Sequence, residues 1–74
     1  MLRKVSVVIE HDENGYYTYC PELPGCHTQA LTLETAIERI KEAIDLYIET
    51  LSPEQVESYL SKDILTTSIE VRVA

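Results

Sequence analysis

Neither tryptophan nor phenylalanine occurs in the 74 residues, so the bulk of any core must come from Ile, Val, Leu and five tyrosines. Glycine is almost as scarce, with two positions at 15 and 25, which excludes a glycine-rich loop cradling a phosphate. No apolar run approaches the roughly 20 residues of a membrane span. The opening MLRKVSVVIE alternates apolar and polar residues at once, as a strand does and a signal peptide does not. Basic residues are few. Six Lys and Arg against thirteen Asp and Glu leave a net charge of −7. Such a chain lacks the cations that nucleic-acid phosphates and anionic membranes require, so neither direct nucleic-acid binding nor membrane attachment is expected. It suits a basic partner, or simply solubility. The expected compartment is the cytoplasm, where two cysteines are free thiols rather than a disulfide.

At 45 % hydrophobic and 26 % charged, the composition is that of a soluble globular chain. Residues 1–74 make one domain with one small core, which returns little more than the entropy lost on ordering. Covering more apolar surface in a homo-oligomer (a dimer or a tetramer) or in a complex with another protein is therefore expected.

The hydrophobic pattern divides the chain into six elements. Residues 2–10 place Val5, Val7 and Ile9 on one face of a strand. Asn14-Gly15 reads as a hairpin turn, because both residues tolerate positive φ. Residues 16–20 form the returning strand. Pro21, Pro24 and Gly25 stop the pairing and turn the chain. Residues 26–30 are a third short strand. Thr32 caps a helix running to about Thr50, with apolar residues at steps of three and four from Leu33 to Leu51. Ser52, Pro53 and Gln55 open a second, short helix to about Ser61 with a capping box. Residues 65–73 alternate again and predict a last strand that returns to the sheet. The expected class is α+β, in the order β-β-β-α-(short α)-β. An antiparallel meander carries the main helix on one face, and the chain stops after its last strand.

The stretch CPELPGCHTQ, residues 20–29, gathers both cysteines and a histidine. Zinc sites usually show four ligands at shorter spacing than this, so no metal is expected. Adjacent Cys26 and His27 in a strand point to opposite faces, which rules out a catalytic pair. Two small half-buried thiols are the simpler reading. Glu10, Asp12 and Glu13 cluster at the hairpin, where an acidic run is ordinarily just solvated. No catalytic residues and no cofactor are expected. On the long helix, Glu34, Glu38, Glu42, Asp45 and Glu49 form one stripe opposite the apolar one. It is either a solvated face or an electronegative surface that steers a basic protein into contact.

The segment ENGYYTYCPELPGCHTQALTLETAIERIKEAIDLYIE resembles the HicB family of antitoxins. Gly15-Tyr16 opens the second strand as in that family. Pro21-Glu22-Leu23-Pro24-Gly25-Cys26 forms the corner, Thr32 caps the helix, and the helix contains Glu42-Ala43-Ile44. The chain has Ala30-Leu31 where the family often has Gly-Asp. Many family members continue into a DNA-binding domain that this sequence does not include, so operator binding is not carried over. The resemblance implies a truncated ribonuclease H-like fold without nuclease activity. Glu10 and Glu70 are the carboxylates its strands offer, and both should face away from the helix. It further implies that the chain binds and neutralises a small basic mRNA interferase of the HicA type. The contact residues expected are those of the acidic stripe. The alternative is a stand-alone oligomeric scaffold without a toxin.

Overall fold

A computed structural model of the chain describes residues 2–74. The sheet is built from β1 (Val8–Asp12), β2 (Gly15–Tyr19) and β3 (His27–Ala30), antiparallel in the order β1-β2-β3. The register pairs Ile9 with Thr18 and Thr18 with Thr28, so these three share a face. Thr18 is fully buried there, and its hydroxyl lies 2.6 Å from that of Thr28, so neither polar group is left without a partner.

The turn between β1 and β2 differs from expectation. Positive φ falls on Gly15 alone, and Asn14 instead donates its amide to the Asp12 carboxylate at 2.8 Å. β1 also starts later than its alternation suggests. Its first pair is Val8 with Tyr19, and beyond Tyr19 the second strand gives way to the corner. Residues 2–7 therefore run past the end of their neighbour. They are tied down by side chains. Glu22 accepts the Ser6 amide at 3.0 Å, and Arg3 pairs with Glu57 at 2.6 Å.

Helix α1 spans Leu33–Glu49, and Thr32 caps it by accepting the Thr35 amide. Its buried residues are Ala36 and Ile40. It lies over β3 and β2 and scarcely reaches β1. Arg39 donates to the Gln29 carbonyl at 2.7 Å, which fixes the helix flank that faces β3. At about 3.6 residues per turn, Leu33, Ile37, Ile44 and Ile48 fall on the opposite flank, toward β1. Leu33 and Ile37 remain 39 % and 46 % exposed, although their spacing marks them as core. Helix α2 (Pro53–Tyr59) starts with the expected capping box on Ser52 and Gln55, and packs through Tyr59 edge-on to Tyr47.

The α+β class and the order β-β-β-α-α stand as read. The last strand does not close the sheet: residues 65–73 join no ladder. Leu65, Ile69, Val71 and Val73 are 76–89 % exposed. Alternation specifies that one face of a strand is to be buried, but it cannot say against whose sheet.

Candidate interaction surfaces

The corner is a closed loop of backbone bonds. Cys20 donates to the Cys26 carbonyl at 3.0 Å, Leu23 to that of Cys20 at 3.1 Å, and Cys26 to that of Leu23 at 3.0 Å. Pro21 and Pro24 bring no amide that would need a partner. Gly25 takes φ +81°, where a side chain is strained. The loop drives Leu23 into the centre of the core, fully buried between Cys20, Cys26 and Ile40.

Glu22 of this corner is buried, with 5 % of its surface accessible, and both carboxylate oxygens face the Ser6 amide. The Cys20 thiol also donates to it, at 3.6 Å. Nothing in the sequence signals this role. A charged residue between two prolines reads as exposed, and its donor comes from a segment 16 residues away.

The corner is not built as a nucleophile. Burial pushes the Cys20 thiol up to about 11, and the Glu22 carboxylate adds to the rise. Burial raises Cys26 as well. A thiol held protonated attacks poorly. His27 points away from Cys26 onto the other face of the sheet, where its ring lies 5.8 Å from that of Tyr17. Among the described residues no three His, Cys, Asp or Glu side chains gather into a group able to hold a metal ion. Glu10 is exposed opposite Tyr17 on that outer face, and Glu70 lies in the unpaired C-terminal segment.

Two surfaces remain. The first is the outer face of the sheet, where Tyr17, Tyr19 and His27 cluster beside Pro21 and Pro24 around a shallow depression. The second is the solvent side of α1. Glu34, Glu38, Glu42, Asp45 and Glu49 are all exposed on it, and no described cation pairs with any of them. The exposure of the stripe was legible from the helical period.

Residues 5–70 match the family described as HicB-like antitoxin of bacterial toxin-antitoxin systems. The chain belongs to the HicB-like antitoxin family. A UPF0150 protein of Helicobacter pylori is 39 % identical over 70 residues, covering 95 % of this chain and 97 % of that one. A UPF0150 protein of Archaeoglobus fulgidus is 60 % identical over 47 residues, 62 % of this chain and 68 % of the relative. Another from Thermoplasma acidophilum is 53 % identical over 49 residues, 65 % of this chain and 71 % of the relative. No solved structure gives a significant match. In this HicB-like chain the corner Pro21–Cys26 carries the buried Leu23 and the loop of backbone hydrogen bonds. No described helix is long and apolar enough to cross a membrane.

Proposed function

We propose that this HicB-like chain is a cytoplasmic, non-catalytic antitoxin that binds and neutralises a small basic HicA-type mRNA interferase. The carrying observation is family membership over residues 5–70 combined with an unpaired acidic face on α1. An RNA-cleaving protein must present cations to phosphate. A rigid row of carboxylates competes for that surface and speeds the encounter. Glu34, Glu38, Glu42, Asp45 and Glu49 are the contact residues in this reading. The rigid helix matters because its carboxylates need little further ordering on binding.

Reversing Glu34, Glu38 and Glu42 to Lys tests the stripe. Exposed ion pairs contribute about 0.2–1 kcal/mol each, so the triple variant should bind its toxin about threefold to a hundredfold more weakly at low salt. The dependence of log Kd on log salt should flatten as well. Titration calorimetry at two salt concentrations reads both. An unchanged affinity and salt slope would remove the stripe from the interface while leaving the antitoxin assignment intact.

A further inference from the structure

Two stretches of this chain have the alternation of strands and find no strand partner within it. One is the outer side of residues 2–12, because β1 pairs only with β2 and residues 2–7 outrun even that. The other is residues 65–73. The two are similar in length, and a nine-residue strand spans about 30 Å. A compact chain of 74 residues has a radius of gyration of about 11 Å. This one has 14.5 Å and a long axis of 49 Å, because its C-terminal segment stands clear of the body.

The body carries a matching slot. Helix α1 covers β2 and β3 but not β1. Val7 and Ile9, on the side of the sheet against which α1 packs, are 38 % and 41 % exposed, and Leu33 and Ile37 of α1 are 39 % and 46 % exposed. The slot thus has an open backbone edge on one wall and aliphatic side chains on the other. A strand with one apolar and one polar face fits it. Residues 65–73 supply that: Leu65, Ile69, Val71 and Val73 on one side, Thr66, Ser68, Glu70 and Arg72 on the other.

We infer that residues 65–73 of each chain pair with the free β1 edge of a second copy, completing a four-stranded sheet by reciprocal strand exchange. The exchange satisfies the edge amides and carbonyls, which otherwise invite indiscriminate pairing. It also covers Val7, Ile9, Leu33 and Ile37 in one step. Being reciprocal, it closes at two copies and leaves no strand over. The acidic face of α1 points away from the slot, so the exchanged dimer still displays both stripes.

The decisive experiment mixes chains of two isotope labellings and records methyl contacts by NMR. Contacts from Ile69 and Val71 to Ile9 and Ile37 are expected only between differently labelled chains, with a sedimentation mass twice the 8.4 kDa of one chain or a multiple of that dimer. Ile69→Asp places a charge in the slot and should raise the dimer dissociation constant at least tenfold. Ser68→Asp, on the polar side, should leave it within about twofold. The body of Ile69→Asp should keep its helical circular dichroism, since Ile69 is 80 % exposed in the single chain. Contacts within one chain would show that the strand returns to its own sheet and would overturn the inference. So would equal effects of the two substitutions, a monomer with an unstructured tail, or a tail that orders only when a basic protein is added.

Discussion

Leu23→Ala is expected to lower unfolding stability by about 3–5 kcal/mol. Leu23 is fully buried and sits among Cys20, Cys26 and Ile40 at the one place where the corner, the sheet and α1 meet. Removing its isobutyl group forfeits its transfer energy and leaves a cavity. The cavity cannot collapse easily, because the loop around it is pinned by three backbone hydrogen bonds and two prolines. Domains have about 0.05–0.15 kcal/mol of stability per residue, about 4–11 kcal/mol for 74 residues, so a loss of this size removes from about a quarter to all of it. Leu46→Ala is the matched control. Leu46 is 64 % exposed on α1, and its truncation should change stability by less than about 0.5 kcal/mol. Urea unfolding followed by far-UV circular dichroism, at one fixed chain concentration, reads both. A Leu23→Ala midpoint close to that of the unsubstituted chain would show that the corner does not anchor the core.

Gly15→Ala should be comparably damaging, and Gly25→Ala much less so. Gly15 sits at φ +125°, and a Cβ built there would stand 2.6 Å from the Ala30 carbonyl oxygen. That oxygen belongs to the backbone at the end of β3 and cannot swing aside. The substitution combines conformational strain of about 1–3 kcal/mol with a clash that forces the hairpin away from β3. About 3 kcal/mol or more is expected. Gly25 has φ +81° but nothing within 4 Å of its Cβ position, so only the strain remains, about 1–2 kcal/mol. Thermal unfolding of the two variants side by side separates the terms. Equal losses would mean that the approach of Gly15 to β3 contributes nothing.

The helices were the most legible part of the sequence. Thr32, Ser52, Pro53 and Gln55 carry their own start signals, and the apolar period of α1 runs through five turns, so local chemistry was sufficient. The strands were legible in identity but less so in extent. Whether residues 2–7 are laddered depends on where β2 ends, and that depends on the corner, which alternation does not report. The C-terminal strand shows the same limit more strongly, since a hydrophobic face names a need and not the chain that meets it. Exposure of the acidic stripe followed from helical geometry alone. Glu22 did not, because its burial rests on the backbone amide of Ser6, a donor that every residue type but proline offers.

Neutralisation itself is the most direct test of the proposed function. A HicA-type ribonuclease from the same genome, cleaving a labelled RNA, would be titrated with the unmodified chain. Cleavage is expected to fall in proportion to added chain and to stop once the two are equivalent, with both proteins migrating as one species. Undiminished cleavage at a tenfold excess of chain, with no joint species in sedimentation, would contradict the antitoxin reading and leave a self-assembling module without a toxin.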